Sequence, residues 1–128
     1  MEAAIAWVHA LARRTEDTDW ARIVSLYDTL MTLRPSPVVA LNRAIAIGQR
    51  DGPERGLQEI RDIADRDRLA TYPFYNAALG EFELRSGRYD HASQHFRLAL
   101  RFARNPAERQ FFEHRIALAQ PTTPPHAL

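Results

Sequence analysis

Apolar residues recur at the spacing of an α-helix along nearly the whole chain, and this periodicity constrains the fold most strongly. No stretch shows the alternation of apolar and polar residues that is typical of a β-strand. Turn signals interrupt the helical pattern at residues 35–37, 51–53 and 86–87. The sequence therefore predicts an all-α protein of seven helices, at about residues 3–13, 20–34, 37–49, 53–63, 73–85, 89–102 and 107–120.

The chain is long enough to form one domain with its own core. It has 128 residues, of which 45% are apolar, a proportion that is ordinary for a globular protein and too high for a disordered one. Residues 121–128 hold three prolines and have no apolar face. We interpret residues 1–120 as one helical domain and residues 121–128 as a disordered, proline-rich tail.

The helices are joined in pairs by short turns, which calls for a search for internal repeats. Residues 76–99 match the roughly 34-residue helix-turn-helix pattern of tetratricopeptide repeats. The pattern requires small, small, aromatic, small, aromatic and small residues, and these positions hold Gly80, Gly87, Tyr89, Ala92, Phe96 and Ala99. Gly80 and Ala92 would let the two helices approach closely, and Gly87 would allow the turn between them. Tyr89, Phe96 and Ala99 would fill the seam to the next pair.

Two further copies lie upstream of this pair. The middle copy is offset by 36 residues, from Gly80 back to Ala44, and its equivalent positions hold Ala44, Ile47, Gly56, Ile60 and Ile63. A third, poorer copy includes Trp7, Tyr27, Leu30 and Pro35. The sequence thus predicts an α-α superhelix of about three tetratricopeptide-like helix pairs, closed by a C-terminal capping helix.

Composition argues against several classes of protein. The net charge is +1, and 17 arginines are interspersed with 16 acidic residues, so we expect no direct binding to nucleic acid. The chain has no cysteine, which excludes disulfides and thiolate chemistry. Its apolar stretches are far shorter than the roughly 18 residues that span a bilayer, so we expect no membrane insertion. No signal peptide is evident, and a cytoplasmic location is the default.

The sequence shows no convincing catalytic, metal or cofactor site. His91 and His95 have metal-ligand spacing, but no third ligand is evident, and two ordinary surface histidines are the favoured interpretation. No serine lies in an elbow-like turn, and no glycine-rich phosphate loop is present. We expect the carboxylate pairs Glu81 with Glu83, and residues 65 with 67, to be solvated on polar faces.

The first helix of each pair offers candidate binding residues. In repeats of this kind, the exposed side of that helix lines a concave groove. Asn42 and Arg43 lie on such a helix, and a structural hydrogen bond between helices is an equally good interpretation of both. By the same register, Gln49, Glu81 and Arg85 could face the groove and make it suited to a peptide or a neighbouring domain.

Several arginines near the C-terminus form the nearest approach to a basic patch: Arg97, Arg101, Arg104, Arg109 and Arg115. The first three have the spacing of a single stripe on the sixth helix. A solvated helix face is the favoured interpretation of this stripe. The alternative is contact with an acidic protein surface or with nucleic-acid phosphate.

Beyond the general repeat, the chain resembles one particular family over about residues 3–119. This family is a subgroup of the extracytoplasmic-function sigma factors of bacterial RNA polymerase, which carry a C-terminal tetratricopeptide-like extension. The most specific part of the resemblance is the run Ser-Pro-Val-Val-Ala-Leu-Asn-Arg-Ala at residues 36–44. The other parts are Ala-Ile-Ala-Trp-Val-His-Ala near the N-terminus, Thr-Asp-Trp at 18–20, Leu-Tyr-Asp at 26–28, Asp-Gly-Pro at 51–53, and Asn-Pro-Ala-Glu-Arg at 105–109.

The resemblance implies a regulatory interaction domain that contacts the sigma core regions or RNA polymerase and modulates transcription initiation. In the family, the promoter-binding and polymerase-binding regions lie upstream, and nothing in this chain corresponds to them. We therefore expect a fragment or an isolated remnant that does not recognise a promoter by itself. The loss of upstream helices would expose the apolar face of the first helix, including Ile5 and Val8, and favour homo-oligomers. The alternatives are a stand-alone adaptor that binds a peptide in its groove and, less favoured, a helical enzyme or metal protein.

Overall fold

The computed structural model describes residues 19–120. Within this range it contains six α-helices, one short 3-10 helix at Arg66–Leu69, and no β-strand. The α-helices are α1 Trp20–Leu33, α2 Pro37–Asp51, α3 Pro53–Arg61, α4 Pro73–Arg85, α5 Tyr89–Arg101 and α6 Pro106–Ala119. The prediction of an all-α protein is confirmed for these residues. The expected first helix at 3–13 and the tail at 121–128 lie outside the described residues.

Local side-chain chemistry determines where several helices begin. Asp19 Oδ1 accepts a hydrogen bond from the Arg22 backbone N–H at 3.0 Å, and Asn105 Oδ1 accepts one from the Glu108 N–H at 2.9 Å. Ser36 Oγ caps α2 in the same way, and α2, α3, α4 and α6 each have a proline in the first turn. Such caps satisfy backbone donors that have no partner within the helix. These helix starts were therefore predictable from sequence.

The core follows the order of the helices along the chain. One cluster joins α2, α3 and α4 through Leu41, Leu57, Ile60 and Phe82, all of which are fully buried. A second cluster joins α4, α5 and α6 and contains Phe74, Ala77, Ala99 and Phe112. The helix α1 adds Val24 as its one buried side chain. Each helix therefore packs mainly against its neighbours in sequence.

Glycines allow the closest approaches between helices. A Cβ atom added to Gly80 would lie 2.8 Å from the Phe96 ring, which belongs to the other helix of the same pair. A Cβ atom on Gly48 would lie 2.9 Å from the Gly56 Cα and would overlap the Phe82 ring. The sequence interpretation named Gly80 and Gly56 but overlooked Gly48, whose role depends on the ring of Phe82 from the next pair.

Most of the expected packing residues are buried, but Tyr89 is not. Ala44 and Gly56 are buried, and Ala92, Phe96 and Ala99 are fully buried. Gly87 has the positive φ of 81° that a tight turn requires. The expectation that Tyr89 fills a seam is wrong, because its side chain is 44% exposed. Tyr89 is the first residue of α5 and lines a surface depression beside the turn instead of the interface between helices.

No helix within residues 19–120 combines the length and the apolar character that crossing a bilayer requires.

Candidate functional site

Four polar side chains from three helices meet on one face of the molecule. We call Gln49 of α2, Glu81 and Arg85 of α4, and Arg115 of α6 the polar network. Arg85 Nη1 donates a hydrogen bond to Gln49 Oε1 at 2.7 Å, and Arg115 Nη2 donates to Glu81 Oε1. Arg85 Nε lies 4.0 Å from the same Glu81 oxygen. The polar network therefore links α2, α4 and α6 through their side chains.

The polar network is almost entirely removed from water. Gln49 and Glu81 are 5% and 4% exposed. The side chains of Arg85 and Arg115 retain 17% and 11% of their exposure. Charges at such a depth interact through a lower effective dielectric than charges on the surface, so their ion pairs are stronger and their unpaired groups more costly.

Aromatic rings hold the two guanidinium groups of the polar network from beneath. The Arg85 guanidinium carbon lies 5.8 Å from the centre of the Phe82 ring. The Arg115 guanidinium carbon lies 5.9 Å from the Phe96 ring centre and 6.0 Å from that of Phe111. Cations at these distances are attracted to the faces of aromatic rings. Packing against these rings therefore contributes to the position of each guanidinium, together with its polar partners.

The structure brings three of the five predicted groove residues together, but in a different setting. Gln49, Glu81 and Arg85 belong to the polar network, and Gln49 and Glu81 are buried within it instead of lining an open groove. The expectation of solvated carboxylates at Glu81 and Glu83 is wrong, since these residues are 4% and 2% exposed. Both carboxylates have arginine partners, which offset the cost of burying a charge.

Asn42 and Arg43 lie on different sides of α2. Asn42 is half-buried and precedes Gln49 by seven residues, about two helical turns, so these two residues share a side. Arg43 is about 120° around the helix from Gln49. It forms ion pairs with Asp28 of α1 and Glu59 of α3. The assignment of Arg43 to the same groove is therefore wrong, and its interhelical interpretation is the correct one.

A second cluster of charges lies at the turn between α4 and α5. Buried Glu83 forms ion pairs with Arg88, which also contacts Glu54 of α3 at 2.8 Å. His91 Nδ1 lies 3.3 Å from Glu83 Oε2, whereas His95 Nδ1 lies 3.0 Å from Asn76 Oδ1. The two histidines with metal-ligand spacing therefore contact different protein groups.

Burial affects the two histidines unequally. Burial lowers the pKa of His95 below its ordinary value, and the nearby Glu83 charge opposes this shift only in part. His91 is exposed. Among the described residues, no three histidine, aspartate or glutamate side chains are placed to hold a metal ion together.

The five C-terminal arginines do not form one patch. Arg97 and Arg101 are exposed on α5, and Arg109 is exposed on α6. The prediction that Arg104 continues the α5 stripe is wrong, because α5 ends at Arg101 and Arg104 pairs with Glu108 instead. Arg115 belongs to the polar network and is largely buried.

The contribution of Arg115 to the polar network was missed in the sequence, although a signal for it exists. Glu81 and Arg115 are 34 residues apart, and Gln49 and Arg85 are 36 residues apart. Both separations correspond to about one repeat length. Complementary polar residues at this separation are therefore a signal in the sequence for contacts of the kind seen between α2 and α4 and between α4 and α6.

Comparisons with known proteins give one informative match. No protein-family model and no solved structure matches this chain. An uncharacterized protein of Rhizobium meliloti (strain 1021) is 38% identical to the chain over 125 residues. The match covers 96% of this chain and 29% of that protein. The chain thus spans less than a third of the length of this curated relative.

Proposed function

We propose that this chain is a protein-interaction domain built as a tetratricopeptide-like superhelix, with α6 as its capping helix. The observation that carries the proposal is the polar network, which connects α2, α4 and α6 at separations of 36 and 34 residues. Contacts at one repeat length between first helices are expected where helix pairs stack. A face formed by several stacked first helices is a suitable surface for a partner protein.

The more specific proposal is a regulatory domain of a bacterial extracytoplasmic-function sigma factor. In this role the domain contacts the sigma core regions or RNA polymerase in the cytoplasm and modulates transcription initiation. The resemblance of residues 36–44 to that family supports this proposal. The length of the Rhizobium meliloti relative supports it too, because a protein of that size has room for further domains.

A stand-alone adaptor that binds a peptide is the second candidate, and the polar network favours it equally. Gene context distinguishes the two candidates. Sigma regions encoded in the same reading frame upstream support the sigma-factor proposal, whereas an isolated gene supports an adaptor.

Calorimetry on two pieces of the Rhizobium meliloti relative tests the sigma-factor proposal. One piece is the segment that this chain matches, and the other is the remainder of the protein, expressed separately. We expect saturable binding on the order of micromolar or tighter, for the matching segment and for this chain alike. RNA polymerase is titrated in parallel as the second expected partner.

Two results would contradict the sigma-factor proposal. The first is the absence of binding to both the remainder and RNA polymerase. The second comes from a transcription assay in which deletion of the matching segment from the relative leaves promoter use unchanged. Binding to unrelated peptides with no effect on transcription would instead support the adaptor.

A further inference from the structure

Two polar atoms of the polar network have no hydrogen-bond partner. They are Gln49 Nε2 and Arg115 Nε, and both are inaccessible to water. Buried donors in folded proteins are nearly always paired, so each unpaired donor calls for an explanation. Both lie on groups whose other atoms are well paired, because Gln49 Oε1 accepts from Arg85 and Arg115 Nη2 donates to Glu81.

The two unpaired donors define the chemistry of the group that could bind to them. Each requires an acceptor. Gln49 lies beside the Arg85 guanidinium, and Arg115 Nε is itself part of a guanidinium. An ionised acceptor forms stronger hydrogen bonds with such donors than a neutral one does. The Glu81 carboxylate between the two arginines disfavours a dianionic phosphate by like-charge repulsion, and this repulsion is weaker for a singly charged carboxylate.

The polar network lies just beneath the molecular surface. Arg85 and Arg115 keep 17% and 11% of their side-chain exposure, so part of each side chain reaches that surface. A partner carboxylate reaches Gln49 Nε2 and Arg115 Nε only after these two side chains change rotamer, so that bonds to the partner replace bonds within the polar network. The rings of Phe82, Phe96 and Phe111 form an apolar floor that keeps the local dielectric low.

We infer that this face binds an acidic segment of a partner protein, through an aspartate or glutamate carboxylate that accepts hydrogen bonds from Gln49 Nε2 and Arg115. The inference rests on the proposed function of the same face and adds the chemical class of the partner. It places the recognition of charge at α2, α4 and α6, which the polar network connects.

Peptides of two matched sets provide the first test. One set contains acetylated, amidated peptides of about twelve residues with aspartate or glutamate at alternate positions, long enough to cross three adjacent helices. The other set replaces each acid by asparagine or glutamine. We expect fluorescence anisotropy to show binding of the acidic set, weakened by salt, and at least about tenfold weaker binding of the amide set. Equal binding of the two sets, or no binding of either, would overturn the inference.

The substitution Gln49→Glu provides the second test. It keeps the size of the side chain and replaces the unpaired donor by a carboxylate of the protein itself, which pairs with Arg85. We expect acidic peptides to bind at least about tenfold more weakly, while the thermal midpoint stays the same or rises. The control is Arg97→Gln, which changes the net charge equally on an exposed part of α5 and leaves binding unchanged. Equal effects of the two substitutions on binding would overturn the inference.

The remaining outcomes separate this inference from the proposed function. If the remainder of the Rhizobium meliloti relative binds the Gln49→Glu variant as well as it binds the original chain, the partner uses another surface, and only this inference fails. If neither that remainder nor RNA polymerase binds, the sigma-factor proposal fails, and the peptide tests decide the inference separately. If single-stranded DNA displaces the acidic peptides at equal concentration, phosphate is the preferred ligand and the inference is wrong.

Discussion

Gly48 lies where three helices come closest together. The ring of Phe82 in α4 packs across Gly48 and Gly56, and the two glycine backbones of α2 and α3 are in contact beneath it. Any side chain at position 48 must displace an aromatic ring that is fully buried. The size of this residue therefore determines how closely α2, α3 and α4 approach one another.

Replacement of Gly48 by alanine tests this role. We expect Gly48→Ala to lower the free energy of unfolding by about 1–3 kcal/mol, because overpacking of the core outweighs the higher helix propensity of alanine. Urea unfolding followed by circular dichroism measures the change. The matched control is Gly52→Ala, where a Cβ atom meets nothing within 4 Å and the cost comes from its positive φ of 109° alone. A Gly48→Ala variant as stable as the original chain would contradict the packing argument.

Glu108 connects the start of α6 to the preceding loop. Its carboxylate accepts hydrogen bonds from the Arg104 backbone N–H at 2.9 Å and from Arg104 Nη2 at 2.7 Å. Burial by itself would raise the pKa of Glu108, but the side-chain and backbone hydrogen bonds from Arg104, together with its charge, outweigh burial and lower the pKa below its ordinary value.

This lowered pKa predicts a dependence of stability on pH. Because the pKa of the folded state lies below that of the unfolded state, the contribution of Glu108 is present above the unfolded pKa and is lost as pH falls through the folded pKa. As the pH falls from about 5 to about 3, we expect the free energy of unfolding to decrease less in the Glu108→Gln variant than in the original chain. Urea midpoints of both proteins across this range measure it. Parallel pH profiles of the two proteins would show that Glu108 does not contribute.

The helices differ widely in how firmly they are held. Ten residues of α4 are buried, whereas Val24 is the one buried residue of α1. Three leucines of α1 share a stripe and are 58%, 41% and 70% exposed, at positions 26, 30 and 33. Because local stability depends on the number of buried contacts, α1 should open much more often than α4.

Hydrogen exchange measures this difference directly. We expect the backbone amides of α1 to exchange fastest and those of α4 slowest among the six described helices, since α4 packs against helices on both sides. Mass spectrometry after proteolysis resolves the two segments. Protection of α1 equal to that of α4 would show that α1 is covered by something beyond the contacts described for it.

The ion pair between Glu81 and Arg115 joins α4 to α6. We expect Arg115→Met to lower the free energy of unfolding by about 2–3 kcal/mol, because Glu81 is then left buried with Arg85 4.0 Å away as its remaining partner. Replacing both residues by apolar ones of similar size should cost much less than this. Unfolding of the two single variants and the double variant completes the cycle. Additive effects would mean that the pair has no coupling energy.

The exposed leucines of α1 affect the expected oligomeric state of the molecule. The sequence predicted self-association through the first helix at Ile5 and Val8, which lie outside the described residues. Leu26, Leu30 and Leu33 add a second apolar stripe in the same part of the chain. We expect light scattering to show a mass that rises with protein concentration and falls when these leucines are replaced by serine. A monomeric mass at all concentrations would contradict self-association.

Sequence reasoning predicted the elements of the fold well and the candidate site less well. The helix starts at Trp20, Pro37, Pro53 and Pro73 were predictable because caps and prolines act on the nearest few residues. The 3-10 helix at Arg66–Leu69 was missed, since Leu69 is held by burial in the core and not by any local signal. Gln49, Glu81 and Arg85 were predicted to face a groove; the structure brings them together, but the burial of Gln49 and Glu81 was not foreseen.

The sequence by itself determined that the chain is helical and where most helices begin and end, because periodicity, caps and turns are local. The sequence interpretation also named Gly56 and Gly80, two of the glycines at which helices approach closely. Only the tertiary structure decided that Arg43 pairs with Asp28 and Glu59, that Arg115 reaches Glu81, and that Gln49 Nε2 and Arg115 Nε are left unpaired. These features depend on the rotation and spacing of packed helices, which are set by side-chain contacts between residues distant in sequence.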